Sequence, residues 1–320
     1  MNYLYKGNST SPLDVSSKSN VKDETIDYAK SNFIISSVYK STLIENQILA
    51  IALSEISKAT EDKEGSLIVK LEVKDIKKLL NLNGNSIYEN LEKTAVGLVT
   101  GRAVGIVEPE KHSFSYVSLI TKAEYSKGVF SIRFAPEMRS FLKDLEKNFT
   151  ILNRNYMLNF SSVYSFRLYE LLKSKCYYYK NKEKNETKSD YSYDISLSEL
   201  KFKMGIIDGN EPRIIKYLEK TGKNSLPDYS GAEKLAKTNM YSQYGDFRRE
   251  CLNPAVAEIN NKTDLNVEYK GIRKGVGGKT VGISFAIRLT TKNHKDRNIY
   301  DCQNINRTPL SKDEMIEKLL

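Results

Sequence analysis

Two predicted helices joined by a tight turn, with predicted hairpin strands after them, constrain this chain more than any other sequence feature. Residues 74–80 predict a short helix, and 81–85 (Asn-Leu-Asn-Gly-Asn) predict a turn, because Asn and Gly tolerate positive φ. Ser86-Ile87-Tyr88-Glu89 is a capping box that opens the second helix. Predicted strands follow at 101–107, 114–121 and 128–134. Helix, turn, helix and hairpin is the order of a winged helix.

The second half of the chain repeats this order loosely. Helices are predicted at 162–177 and 198–204, with a strand at 191–195 between them. A polar, turn-rich stretch at 205–243 follows, with small helices predicted near 213–220 and 232–239. A strong helical stretch and two strands come last, at 246–261, 265–272 and 281–289.

Pro254 lies inside the helical stretch 246–261 and allows two interpretations. A proline within a continuous helix removes a backbone donor and kinks the helix. Alternatively, Asn253 caps and Pro254 starts a second helical segment, a position that proline favours. The sequence leaves both open.

Charge points to a polyanionic partner. Lys and Arg number 50 against 40 Asp and Glu, so the net charge is +10, and the pI is about 9.1. Nucleic acid is the first candidate partner, and an anionic membrane surface is the second. The alternative is a soluble basic protein whose charge serves no polyanionic partner. Because 40% of its residues are hydrophobic, the chain can form hydrophobic cores, which excludes a fully disordered protein. Its length of 320 residues predicts two domains.

Cysteine and histidine usage argues against metal sites and catalysis. The three cysteines form no Cys-x-x-Cys pair, which excludes zinc ribbons and fingers, and two histidines poorly supply a metal motif or a Ser-His-Asp triad. We expect no catalytic residue, metal or cofactor. The sequence also shows neither a signal peptide nor a long uninterrupted apolar run, so we expect a cytoplasmic bacterial protein without a membrane partner.

A glycine-rich segment, Gly275-Val276-Gly277-Gly278-Lys279-Thr280, invites a phosphate-loop interpretation. The motif G-x-x-x-x-G-K-[ST] requires a glycine where Arg273 stands, and a β-branched, strand-like segment follows instead of a helix. A basic hairpin tip explains the segment better. Between positions 271 and 297, seven basic residues stand against the single acid Asp296. A glycine-rich tip with Arg and Lys suits contact with a phosphate backbone.

Several separated motifs, in order, resemble the plasmid replication initiators, the iteron-binding Rep proteins. Ser-Val-Tyr-Ser-Phe-Arg-Leu-Tyr-Glu-Leu-Leu at 162–172 resembles the helix that opens the second domain of this family. Asp-Phe-Arg-Arg-Glu-Cys-Leu-Asn-Pro-Ala-Val-Ala-Glu-Ile-Asn at 246–260 resembles its recognition helix, and the strand segments 263–267 and 283–285 continue the match. Residues 32–35 and the predicted helix 43–56 match more weakly, so the resemblance covers roughly 30–290.

The resemblance implies an α+β fold of two tandem winged-helix domains. It divides the chain into a flexible N-terminal arm (1–31), a first domain for dimerisation and DNA contacts (32–147), a second, main iteron-binding domain (148–297) and a C-terminal tail (298–320). The stretch 205–243 is longer than this family pattern predicts and is treated as an insertion. Implied partners are double-stranded DNA, as origin iterons and an operator inverted repeat, and host replication proteins. Dimers would repress their own gene, and monomers would open AT-rich origin DNA.

Carried over position by position, the resemblance implies seven DNA-binding residues. Two lie at the start of the recognition helix, three on the second wing, one on the corresponding helix of the first domain and one at the start of its wing strand: Arg248 and Arg249; Arg273, Lys274 and Lys279; Lys93; and Arg102.

Two other functions compete with the initiator. A winged-helix transcriptional regulator without an origin role would have the same physical site. A rolling-circle initiator would nick DNA with a tyrosine and a metal held by a His-x-His pair. The chain has 21 tyrosines, but its histidines are His112 and His294, so this pair is missing.

Overall fold

The structure is a computed structural model that describes residues 26–290, apart from short gaps at 83–86, 102, 109–112, 144, 146–147, 177–179, 182–185, 188, 223–226, 238–239 and 276–277. Its elements confirm the predicted α+β fold with a winged helix in each half. The elements of the first half are, in chain order, β1 (Asp27–Ser31), α1 (Asn32–Ser36), α2 (Leu43–Ser54), β2 (Thr60–Glu61), β3 (Leu67–Glu72), α3 (Val73–Leu79), α4 (Ile87–Thr100), β4 (Ala103–Glu108), β5 (Ser113–Ser118), β6 (Ile120–Ser126), β7 (Val129–Phe134), α5 (Arg139–Leu142), β8 (Phe149–Asn153) and α6 (Arg154–Asn159).

The second half begins with the helix whose sequence resembles the initiator family. Its elements are α7 (Val163–Lys173), β9 (Lys180–Asn181), β10 (Glu186–Thr187), β11 (Asp190–Ser196), α8 (Leu197–Lys203), α9 (Pro212–Gly222), α10 (Tyr229–Leu235), α11 (Tyr244–Phe247), a π-helical turn (Arg248–Leu252), α12 (Asn253–Lys262), β12 (Leu265–Lys274) and β13 (Lys279–Leu289). We call residues 244–262, from α11 through α12, the recognition helix.

The two halves share one strand order. In the first half β7 lies between β3 and β6, and in the second half β13 lies between β11 and β12, all antiparallel. In each case a seven-residue helix follows the first strand directly, as α3 or α8. A longer helix then precedes the hairpin, as α4 or the recognition helix. The hairpins β6–β7 and β12–β13 are therefore the two wings.

Local signals in the sequence place several elements correctly. Thr42 and Glu45 form the predicted capping box at the start of α2, and Ile48 and Leu53 on this helix are buried. In the turn between α3 and α4, Asn81 has a φ of 50°, a positive value that asparagine tolerates better than most residues. The capping box predicted at 86–89 lies partly outside the described residues, although α4 begins at Ile87 as expected.

The predicted single strand at 114–121 is wrong, because the chain changes sheets at Leu119. Residues up to Ser118 pair with β4, whereas Ile120 begins the strand that pairs with β7. Leu119 is buried, and the Ser118 hydroxyl donates to the carbonyl of Ile120 at 2.8 Å. The strand that begins at Ala103 thus belongs to a separate hairpin, β4–β5, and is not the wing strand at whose start Arg102 was predicted. Arg102 itself lies outside the described residues.

Regular structure begins closer to the N-terminus than the sequence predicts. Residues Asp27–Ser31 form β1, which pairs antiparallel with β8, so the prediction of a flexible arm through residue 31 is wrong for these five residues. The pairing joins positions about 120 residues apart, and no local pattern reveals it. It also links strands on either side of the domain limit predicted at 147–148, which stays a prediction.

The recognition helix runs without interruption through Pro254. Leu252 and Asn253 both have helical dihedral angles, so Asn253 is not an N-cap, and the interpretation of two separate segments is wrong. A π-helical turn precedes the proline, with the Asn253 N–H donating to the carbonyl of Arg248, five residues earlier. This wider turn absorbs the irregularity that a proline introduces into a helix.

The stretch 205–243 contains the two small helices that were predicted, as α9 and α10. Ile214 and Ala232 bury their side chains against the core, and Lys201 on α8 pairs with Glu233 on α10 at 2.7 Å. The Asn210 side chain donates to the carbonyl of Gly101 at the end of α4, at 2.8 Å. The insertion therefore packs on both halves and contributes to the contact between them.

A buried charged group also connects the halves. Lys30 on β1 contacts Glu170 on α7 at 2.6 Å, and Arg167 contacts the other carboxylate oxygen at 3.2 Å. All three side chains are at most 2% exposed. Arg167 also donates to the Tyr39 hydroxyl and to the carbonyl of Ser37, both at 2.8 Å. The segment between α1 and α2 is thus hydrogen-bonded to the helix that opens the second half.

Candidate nucleic-acid interface

The recognition helix separates an apolar face from a polar one. Because an amphipathic helix buries its apolar stripe, the sequence decides which side chains point outward. The buried side chains are those of Phe247, Cys251, Leu252, Ala255, Val256 and Ile259. The exposed side chains include those of Arg248, Arg249, Glu250, Asn253 and Pro254. The two predicted arginines therefore lie on the accessible face.

Arg249 is exposed but already engaged with two carboxylates. Its Nη2 lies 2.9 Å from an oxygen of Asp246, and its Nε lies 2.7 Å from an oxygen of Glu250. The side chain remains 70% exposed. Glu250, and less strongly Asp246, raise the pKa of the guanidinium above its ordinary value. Arg249 is thus a fixed, outward-facing positive charge between two negative ones.

Arg248 points to the neighbouring strand. Burial raises the pKa of Tyr269 on β12, nearby Tyr244 adds to the increase, and a hydrogen bond with Arg248 opposes it. The Tyr269 hydroxyl also donates to the side-chain oxygen of Asn253. These contacts join the exposed face of the recognition helix to strand β12 of the wing, so helix and wing form one continuous surface.

The second wing gathers the three predicted basic side chains at one tip. Gly275 and Gly278 have φ angles of 80° and 63°, and the Gly278 N–H donates to the carbonyl of Gly275 at 3.1 Å. Lys274 and Lys279 form the last cross-strand pair, and Arg273 lies opposite Thr280 one step earlier. All three basic residues are exposed. Because neighbouring positions of a strand face opposite ways, positive charge covers both sides of the tip.

The first half offers a weaker basic surface. Lys93 is exposed on α4, as predicted. The tip of the first wing is Lys127-Gly128, with φ angles of 49° and 85°, and Lys127 is exposed. The sequence prediction does not include Lys127, because it places the first wing one hairpin too early. The turn at 126–128 is nevertheless visible in the sequence as Ser-Lys-Gly.

An exposed aromatic pair joins α4 to the first wing and is absent from the sequence prediction. The rings of Tyr88 on α4 and Tyr125 on β6 have centroids 5.0 Å apart, and the side chains are 52% and 42% exposed. The Lys77 ammonium lies 5.9 Å from the Tyr88 centroid, within cation–π range.

The described residues contain no group of three or more His, Cys, Asp or Glu that could hold a metal ion. Among the same residues, no helix combines the length and the apolar character needed to cross a membrane.

The fold and the surface together define a tandem winged-helix protein with an exposed recognition helix and a basic wing in its second half. Two family models match the chain: "Initiator Replication protein, WH1" over residues 27–173 and "Initiator Rep protein, WH2" over residues 233–287. The chain belongs to this family of initiator replication proteins, which confirms the resemblance seen in the sequence.

A solved structure supports the fold. The chain is similar to a protein described as "Crystal structure of Pi initiator protein in complex with iteron DNA", with a TM-score of 0.58 and 18% sequence identity. The similarity covers 83% of this chain and 98% of the other. A comparison with curated proteins finds no match.

Proposed function

We propose that this protein initiates plasmid replication by binding iteron repeats at the origin, and that it acts by binding alone, without covalent catalysis. The observation that carries the proposal is the joined surface of the recognition helix and the second wing, with five exposed basic residues in a member of the initiator family: Arg248, Arg249, Arg273, Lys274 and Lys279. The similar Pi initiator is described in complex with iteron DNA, which supports the same partner here.

The recognition helix would enter the major groove, which admits one α-helix, and place the two arginines at base edges or at the flanking phosphates. The wing tip would contact the phosphate backbone beside the groove. Lys93 and Arg102 of the first half would add contacts to the same duplex, and we add Lys127 to them because it lies at the tip of the first wing.

The finer parts of the proposal come from family resemblance. Bound monomers would open AT-rich DNA and recruit host replication proteins in the bacterial cytoplasm. Homodimers, in equilibrium with monomers, would repress the protein's own gene at an inverted repeat. A transcriptional regulator without an origin role is the second candidate, since the same surface would serve it.

Footprinting on the plasmid that encodes the protein distinguishes an initiator from a transcriptional regulator. An initiator is expected to protect directly repeated sites at the origin, and loss of the protein should abolish plasmid maintenance. Protection of a promoter alone, with the plasmid still maintained in the absence of the protein, would support the regulator instead.

The second wing is expected to contact phosphates and not bases. Replacing Arg273, Lys274 and Lys279 by alanine should weaken binding to specific and nonspecific duplexes about equally. Each phosphate contact adds roughly −0.9 to the slope of log affinity against log salt, so the slope should shrink by about two to three units. Titrations at several salt concentrations measure it.

A matched control removes three exposed lysines of the insertion, Lys216, Lys220 and Lys234. This variant should keep the wild-type slope. An unchanged slope in the wing variant would exclude the wing as a phosphate contact. The phosphate-loop interpretation makes a different prediction: Lys279→Ala alone would abolish ATP binding and leave the DNA salt slope intact.

A further inference from the structure

The exposed face of the recognition helix carries acidic side chains where phosphate binding would favour basic ones. Asp246 is 51% exposed, Glu250 is 55% exposed, and both contact Arg249. The three side chains together have a net charge of −1. DNA presents a dense row of negative phosphates, which repel carboxylates. Acids on this face therefore oppose contact with the phosphate backbone and do not support it.

The two acids differ in how well the protein itself explains them. Asp246 lies in the first turn of α11, where a negative charge is stabilised by the helix dipole. Glu250 lies in the π-helical turn, away from either helix end. Its contact with Arg249 is an exposed ion pair, and such pairs contribute little to stability. Neither the helix dipole nor the ion pair therefore gives Glu250 a substantial role in the stability of the fold.

The major groove offers a partner that suits it. Glutamate accepts a hydrogen bond from the N4 amino group of cytosine, and arginine binds the O6 and N7 atoms of guanine with two hydrogen bonds. Resting on the proposed function, we propose that Glu250 reads a cytosine in the major groove, beside a guanine read by Arg249. On binding DNA, the guanidinium would exchange its contact with Glu250 for the guanine, which frees the carboxylate for the cytosine.

This arrangement also discourages nonspecific binding. In the free protein Arg249 is held between two carboxylates, so a phosphate must displace them and approach two negative charges. A site with guanine and cytosine at the right positions offers acceptors to the Arg249 guanidinium and a donor to the Glu250 carboxylate at the same time. Glu250 would therefore lower affinity for wrong sequences and raise discrimination for the right one.

The test selects from a pool of duplexes with a randomised core, using the full chain. Wild type, Glu250→Gln and Arg249→Ala are compared with Glu137→Gln, which removes one exposed carboxylate far along the chain from the recognition helix. Glu250→Gln should lose preference for cytosine at one position, on the order of tenfold, and keep the adjacent guanine. Its affinity for nonspecific duplexes should rise. Arg249→Ala should lose the guanine, and Glu137→Gln should select the wild-type motif.

Glu250 is exposed and glutamine has the same shape, so the variant should fold, and circular dichroism checks this. If Glu250→Gln selects the wild-type motif with unchanged preferences, the inference is wrong. If it loses only the position that Arg249→Ala loses, Glu250 merely positions the arginine, and direct readout is again wrong. If the wild type itself enriches no motif, the proposed function fails and this inference with it.

Discussion

Replacing Arg248 and Arg249 together by alanine is expected to abolish sequence-specific DNA binding while leaving the fold intact. Both side chains lie on the exposed face of the recognition helix, and neither contributes to the buried stripe. An arginine that binds a guanine contributes roughly 1–3 kcal/mol of discrimination, so loss of Arg249 removes much of the difference between right and wrong sequences. Loss of the positive charge of Arg248 lowers the affinity further.

Binding to the plasmid's own origin repeats and to a scrambled duplex of equal length measures the effect, and circular dichroism checks the fold. Arg213→Ala is the matched control, because Arg213 is an exposed arginine in the insertion that pairs with Glu211. The control should bind as the wild type does. Retained wild-type affinity of the double variant for origin repeats, with a normal spectrum, would exclude this helix as the reading element.

The single variants should differ, because the structure gives the two arginines different surroundings. Arg249 faces outward between Asp246 and Glu250, so its loss should change base preference. Arg248 lies beside Tyr269 of the wing strand β12, so its loss should lower affinity more evenly across sequences.

Local patterns in the sequence were enough to predict most of the fold. The capping box at Thr42 and Glu45, the turn at Asn81 and the alternating strands all act through neighbours in the chain. Such interactions leave their mark on short stretches of sequence. The basic tip at Arg273 and Lys279 was predictable for the same reason, because the turn glycines and the charges stand together.

What the sequence could not show depends on contacts between distant residues. β1 forms because β8 offers a partner strand, and the strand at 114–121 divides because Leu119 is drawn into the core. Because this division is not visible in the sequence, the first wing is predicted at β4–β5 instead of β6–β7, and Lys127 at the tip of the true wing is not among the predicted residues. The ion pair between Lys30 and Glu170, 140 residues apart, is equally invisible in the sequence.

The buried charges of that ion pair give the last prediction, which concerns stability. Glu170→Ala should lower the free energy of unfolding by about 3–5 kcal/mol, because it leaves the charges of Lys30 and Arg167 buried without their carboxylate. Glu64→Ala is the control. Glu64 is 75% exposed and pairs with Arg133, so its loss should cost at most about 1 kcal/mol. Urea denaturation of both variants measures the difference.

The same variant tests how β1 is held to α7 and α8. Glu170 accepts from Lys30 of β1 on one side and from Arg167 on the other, and Arg167 in turn donates to the carbonyl of Lys203 on α8 at 3.1 Å. Loss of the carboxylate should therefore loosen β1 from α7 and α8 before either core melts, and raise amide exchange first in Asp27–Ser31. If Glu170→Ala costs no more than Glu64→Ala and leaves exchange in β1 unchanged, the buried carboxylate does not hold β1 to α7, and the other contacts between these elements must do so.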